Sequence, residues 1–317
     1  MRRLGIIVSV FLAASCAGSP EKSFSPLPFP HVSIPGAYAD DIETAVEYAL
    51  MHYWDGLTDT ARAYPCDSSL VSGVLRENVE QAFADYSALL VAADAATAGR
   101  SVRRMADRAV ACERADTSSN VLETLAEIAE HYLYDPNSPL RYEDMWGICA
   151  LDFSRYEGFA PEKRALYEYQ ARMCALNAVG TPAADFSFSD AGGKIRTLYG
   201  IDAEYTLLFF SNPGCEACRN IIETIKRIPG SDELTADGTL AVVNVYIDED
   251  IPAWYDYMRH YPSEWYNGFD HNGIIRSDTL YDVRAIPSLY LLDRDKKVLL
   301  KDAPENNVFA FLANLSE

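Results

Sequence analysis

Residues 206–218 read Thr-Leu-Leu-Phe-Phe-Ser-Asn-Pro-Gly-Cys-Glu-Ala-Cys, and their order decides the fold. The run Thr206 to Ser211 is apolar and rich in strand-forming side chains, which predicts a buried strand. Asn212-Pro213-Gly214 predicts a turn. The pair Cys215 and Cys218 then opens a predicted helix, 215–228, that stops at Pro229-Gly230. A helix start presents unpaired N–H groups and the positive end of the backbone dipole. Both favour a thiolate, so the first cysteine of such a pair attacks disulfides near neutral pH. The second, one turn on, is close enough to close the bridge and release the product. The expectation is a dithiol exchange site in which Cys215 attacks and Cys218 resolves.

Working outward, two more strand-like runs follow, Leu240 to Ile247 and Ser288 to Asp293. Helical stretches at about 252–260 and 305–315 separate and follow them. Strands alternating with helices predict an α/β sandwich around a central sheet. Pro287 leads directly into the third run, a place a sheet accepts proline only as the first strand residue. Upstream of the loop-rich stretch Val179 to Phe186 the texture is helical. Leu75, Val79, Phe83, Tyr86 and Leu90 recur at helical spacing, as do Leu122, Leu125, Ala129 and Tyr132. Asp135-Pro136-Asn137-Ser138-Pro139 is a strong turn. Helices are expected at Asp40 to Trp54, 141–154 and 161–176, the last with Pro161 at a tolerated first position. Arg100, Arg104 and Arg108 form an i, i+4, i+8 stripe, read as a solvated face.

Three segments of the C-terminal part resemble the exported TlpA/ResA-like thiol-disulfide oxidoreductases of the thioredoxin fold. They are Val179-Gly-Thr-Pro-Ala-Ala-Asp-Phe186, Cys215-Glu-Ala-Cys218 and Ile286-Pro287. The resemblance spans 179–317 and implies an α/β sandwich with a central mixed sheet. It also implies a cis-proline at Pro287 and a substrate-binding backbone at Ile286, which would pair with a substrate like an added strand. Phe29 to Pro35, His52-Tyr-Trp-Asp55 and Tyr134 to Pro139 resemble a helical domain of unknown function that precedes such domains in lipoproteins of Bacteroidota. The expected fold class is therefore α + α/β. Three departures stand out. Thioredoxins carry a buried acid where this chain has Phe209. ResA-like proteins carry an acid where it has Ile221. The usual aromatic before the first cysteine is Gly214. Glu216 lies between the cysteines where strong oxidants carry positive charge. An anion there disfavours the thiolate and predicts a low potential, suited to a reductant.

Met1-Arg2-Arg3 followed by the apolar run Leu4 to Ala14 and then Ser15-Cys16 resembles a bacterial lipoprotein signal. The expected organisation is a signal at 1–15, acylation of Cys16, and a Pro-rich tether at 16–35. A helical domain at 36–178 and the thioredoxin-like domain at 179–317 follow. The anchor would hold the protein to a membrane without crossing it, on the periplasmic or surface side of the cell envelope. Seven cysteines leave Cys66, Cys112, Cys149 and Cys174 outside these sites, as two disulfides or as buried thiols.

The 317 residues are 49% apolar and 23% charged, an ordinary globular balance. With 27 basic against 47 acidic side chains the net charge is −20, which argues against nucleic-acid binding. No metal site is expected, because a second close ligand pair is missing and His31, His52, His131, His260 and His271 show no ligand spacing. Trp254 and Trp265 are read as a hydrophobic flap, and Asp248 to Asp250 as a solvated turn. No organic cofactor is expected beyond the redox-active pair itself. The partners would be exported thiol or disulfide proteins and a thiol electron donor. A second reading keeps the chain as a non-enzymatic lipoprotein binding module with a structural or redox-sensing C-x-x-C. A peroxidase is disfavoured, because Asn212-Pro213-Gly214 is a poor imitation of the peroxidatic loop.

Overall fold

The structure, a computed structural model, describes residues 25–315 other than 39, 62, 63, 65 and 66. The signal, Cys16 and Cys66 lie outside the described residues. The first part contains α1 (Ile42–His52), a short hairpin of β1 (Leu70–Val71) and β2 (Val74–Leu75), and α2 (Arg76–Ala92). It continues with α3 (Ala95–Ala115), α4 (Val121–Leu133), α5 (Glu143–Ser154) and α6 (Pro161–Cys174). Local chemistry sets the starts. The Asp41 carboxylate accepts from the amides of Glu43 and Thr44 at the head of α1, and Asp94 does the same for Ala96 and Thr97 at α3. Pro161 opens α6, where its missing N–H costs nothing.

Buried Trp54, Phe83, Tyr86, Val102, Leu125, Trp146 and Phe153 make one core for this part. Gly147 is required where α5 meets α6, since a Cβ there would stand 2.7 Å from Cys174 Cβ. The arginine stripe is not a freely solvated face. Arg100 bonds Glu47 at 2.7 Å, and Arg104 and Arg108 both reach Asp55, at 2.8 and 3.1 Å. These pairs clamp α3 to α1 and the turn after it. The expected tether also needs correction. The Leu27 amide bonds the Gly73 carbonyl at 2.8 Å, and Phe29 is buried against Tyr53 and Trp54. Leu27 and Phe29 of the Pro-rich segment thus pack against the helical core, because these two large apolar side chains gain more by burial than by hydration.

The second part contains β3 (Ser187–Asp190), β4 (Ile195–Thr197), β5 (Tyr205–Phe210), α7 (Glu216–Ile225), α8 (Ser231–Ala236) and β6 (Leu240–Tyr246). After these come α9 (Ile251–Tyr257), β7 (Tyr266–Phe269), α10 (Ile274–Ser277), β8 (Ser288–Leu292), β9 (Val298–Leu300) and α11 (Glu305–Leu315). One mixed sheet runs β4-β3-β7-β6-β5-β8-β9. β5 pairs parallel with β6 and antiparallel with β8. The period-2 alternation explains the apolar run on β5. Leu207 and Phe209 face the layer with α7 and α11, while Leu208 and Phe210 face Phe186, Tyr281 and Tyr290. Covered on both faces, the central strands are apolar throughout. Trp254 and Trp265 are buried in the α7 layer, which makes them core. β3, β4, β7 and β9, short and weakly patterned, were not anticipated from the sequence.

The two parts meet through charge. Arg284 donates to the Tyr134 carbonyl and to Glu143, and its guanidinium lies 3.8 Å from the centre of the Tyr134 ring. Arg141 donates to the carbonyls of Asp302 and Ala303 at 2.6 and 2.7 Å. Lys301 lies 3.4 Å from Glu143 and 3.5 Å from Asp144.

Candidate active site

The chain leaves β5 at Phe210 and must reverse before α7 begins. Asn212-Pro213-Gly214-Cys215 does this as a tight turn, closed by the Cys215 amide donating to the Asn212 carbonyl at 3.3 Å. Proline suits the first central position of a type II turn and a left-handed residue the second, and Gly214 has φ +74°. This is why the aromatic of related motifs is absent here: a side chain at Gly214 would strain the turn. The loop is held from behind. Asn212 Nδ2 donates to Asp248 at 2.7 Å, and Asp248 also pairs with Arg276 at 2.8 Å. Ser211 bonds buried Asn244, whose amide donates to Asn267 at 2.9 Å. The acidic run expected as a solvated turn therefore includes one residue that fixes this loop, and Asp250 caps α9 through the Ala253 amide.

Cys215 is the N-cap residue of α7, with its Sγ accepting from the Cys218 amide at 3.1 Å. Cys215 and Cys218 are joined in a disulfide with Cα atoms 5.3 Å apart. The two sulfurs are not equivalent: Cys215 is partly exposed, whereas Cys218 is 2% exposed. Glu216 points outward, its side chain 81% exposed and 3.8 Å from Arg219. Phe209 and Ile221, at the two positions where relatives carry an acid, are both buried in the apolar layer under α7.

The peptide Ile286–Pro287 is cis. Both residues line, with Ala217 and Ile221 of α7, a cavity of 370 Å³; Ala217 is the residue of the C-x-x-C segment that reaches it. Among the described residues the backbone of Ala285 and Ile286 has no hydrogen-bond partner, so Ile286 presents a free main-chain edge to this cavity. Cys215, Cys218 and Ile286 belong to one apolar layer, and Ile286 and Pro287 line the cavity, which neither cysteine lines. His260 stacks on Tyr257 and His271 has a buried, unpartnered Nδ1; neither lines the cavity. Among the described residues no group of three or more His, Cys, Asp or Glu is placed to hold a metal. Sequence reasoning missed the far wall, which Pro136, Asn137 and Arg141 of the helical domain supply. The turn at 135–139 was legible, but nothing in the sequence tied it to the cysteines.

Two buried thiols stand apart. Cys149 and Cys174 are unbonded, and burial pushes both thiols well above their ordinary range. They are small core side chains, as thiols in apolar surroundings commonly are.

A bonded C-x-x-C at a helix start after β5, with a cis-proline leading into the neighbouring strand β8 of a mixed sheet, defines a thiol-disulfide oxidoreductase of the thioredoxin-like class. A family described as thioredoxin-like matches residues 202–298, and a domain of unknown function, DUF5106, matches residues 14–157. The chain is similar to a thioredoxin-like protein from Bacteroides caccae, 32% identical over 91% of this chain and 99% of that one, with a TM-score of 0.78. The chain belongs to this thioredoxin-like family. It also resembles the C-terminal domain of an uncharacterized protein from Bacteroides fragilis, at 45% identity over 43% of this chain and 98% of that one (TM-score 0.42). A domain of a possible thiol-disulfide isomerase from Cytophaga hutchinsonii is 25% identical over 44% of this chain and 95% of that one (TM-score 0.37). No curated protein matches the chain. Among the described residues no helix is long and apolar enough to cross a membrane.

Proposed function

We propose that the protein is an exported thiol-disulfide oxidoreductase that reduces disulfides of other exported proteins through Cys215 and Cys218. The observation that carries this reading is the asymmetry of the pair. The partly exposed sulfur of Cys215 accepts the Cys218 amide at the start of α7, while Cys218 is covered. In the reduced protein the same amide favours the Cys215 thiolate. That thiolate attacks one sulfur of a substrate disulfide; the S–S bond breaks and one substrate thiolate leaves. Cys218, once deprotonated, attacks Cys215 in the mixed disulfide, which expels the second substrate thiol and forms Cys215–Cys218. Two electrons have passed to the substrate, and a dithiol donor at the membrane or in the periplasm restores the reduced pair by the reverse exchange. The free backbone edge at Ile286, next to Pro287, is the place for the substrate's main chain. No metal or organic cofactor enters the cycle.

The reducing direction rests on the charge around the thiolate. The acidic side chain in the first turn of α7 is Glu216, and the nearby cation Arg219 leans toward it. With an anion and no unpaired cation in the first turn, the thiolate gains little extra stabilisation, so the expected potential is nearer the thioredoxin value of about −270 mV than the DsbA value of about −120 mV. The remaining organisation is proposed with it: a signal at 1–15, acylated Cys16, and attachment to the cell envelope. Replacing Cys218 with Ser tests the exchange reading directly. The variant should accumulate protein adducts that dithiothreitol releases; a variant that traps nothing in cells would leave the pair a structural bridge.

A further inference from the structure

The helical domain supplies one side of the cavity lined by Ala217, Ile286 and Pro287. Asp135 accepts from the amide and side-chain nitrogen of Asn137 at 2.8 and 3.2 Å, and Ser138 donates to the Tyr132 carbonyl at 2.7 Å. These bonds shape the 135–139 turn from within. Two arginines then pin it to the catalytic domain from opposite sides. Arg141 grips the carbonyls of Asp302 and Ala303 just ahead of α11, and Arg284 ties the loop before Pro287 to the Tyr134 carbonyl. A wall held in place before a ligand arrives spares the cost of ordering it later.

The lining of that cavity has its own chemistry. Asn137 lines it together with Asn220 and Thr224 of α7 and Asn306 of α11. Among the described residues the side chains of Asn220 and Asn306 have no hydrogen-bond partner, and the Asn137 side-chain oxygen has none either. All three residues are exposed. Carboxamides that both donate and accept suit the alternating N–H and C=O groups of an extended backbone. Of the charged residues in the lining, Glu305 is exposed, while Arg141 is already engaged by carbonyls. At 370 Å³ the space is of ligand size and runs from Ala217 in the C-x-x-C segment to Thr224 along α7.

We propose that the Pro136–Arg141 turn of the helical domain is the selecting wall of the substrate groove, which takes an extended, uncharged or basic polypeptide segment flanking the substrate's cysteine. The proposal rests on the exchange reading above and assigns the helical domain a share in choosing the substrate. A small disulfide meets only Cys215, whereas a peptide must lie along Ile286 and pass between Asn137 and Asn306.

The test uses the full reduced chain and disulfides whose leaving group is the chromophore 2-nitro-5-thiobenzoate. One substrate is the mixed disulfide of free cysteine. The others are ten-residue peptides with a central cysteine flanked by Ser and Asn, by Lys, or by Glu. The wild type should react with the Lys- and Ser/Asn-flanked peptides about tenfold faster than with the Glu-flanked one. Asn137→Trp, which fills the groove from an exposed position, should slow both favoured peptides about tenfold, the scale of one or two lost hydrogen bonds. It should leave the cysteine disulfide within about twofold. Asn137→Asp, a smaller change, should widen the preference for Lys over Glu. Equal effects on peptide and small disulfide, or no effect on either, would overturn the groove assignment while leaving exchange intact. Reactivity no greater than that of a Cys215→Ser variant would instead remove the exchange reading and the groove with it.

Discussion

Replacing Arg284 with Met probes the junction between the two parts. Methionine keeps most of the volume and deletes the charge. The junction holds Arg141, Arg284 and Lys301 against Glu143, Asp144, Asp282 and Asp302, three bases facing four acids. Arg284 is 15% exposed and Glu143 2% at the side chain, so the pair is screened little by water. Removing one partner of a buried pair costs about 3–5 kcal/mol, because the other is left charged and desolvated. Lys301, 3.4 Å from Glu143, offsets part of this. Asp302 offers a second relief, since burial and then the neighbouring Glu143 push its carboxyl well above the usual range and it can take up a proton. The net expectation at pH 8 is a loss of about 3 kcal/mol, or about 5 °C in Tm for a chain of this size. The loss should shrink toward pH 5, where Asp302 protonates readily. Urea unfolding followed by tryptophan fluorescence at both pH values measures it, and Arg284→Met with Glu143→Gln should recover part of the loss as a coupled pair. A variant within 1 kcal/mol of wild type at pH 8 would show that the network does not hold the parts together.

Other expectations follow from single contacts. Gly214→Val forces a β-branched residue to φ +74°, so stability should fall by about 1–2 kcal/mol and the rate with small disulfides should drop as Cys215 loses its aim; unchanged kinetics would contradict the turn assignment. Phe209→Asp places an acid where thioredoxins keep one, yet Phe209 is fully buried, so denaturant unfolding should show a loss of several kcal/mol and no gain in turnover. Asp302 is raised, so the native chain holds a proton there that the unfolded chain has released above about pH 4. Its contribution is therefore full at acid pH and lost as pH climbs through the folded value, and Asp302→Asn should flatten the stability curve in that window. After reduction, iodoacetamide should label Cys215 quickly, whereas Cys149 and Cys174 stay unlabelled until the protein is denatured.

What was legible in the sequence was what depends on neighbours along the chain. The apolar run before Cys215, the Asn-Pro-Gly turn and the helix after it are local preferences, and 205–210 and 216–225 carry them out. The weak strands were not legible, because Tyr266–Phe269 becomes a strand only by pairing with β6 and β3. The segment before residue 36 reads as a tether by its prolines, but Phe29 is drawn into a core that the local sequence does not contain.

The sequence by itself determined where the sulfurs lie, that a helix begins at them, and that Pro287 opens a strand. Packing between distant segments decided that Ile286 and Pro287 share a cavity with Ala217 of the C-x-x-C segment, that Cys215 and not Cys218 is reachable, and that Asn137 lines the same cavity. The physical reason is range. A turn or helix start is settled by the few residues around it, whereas exposure and the far wall are settled by packing between segments some 70 to 150 residues apart, which no local pattern encodes.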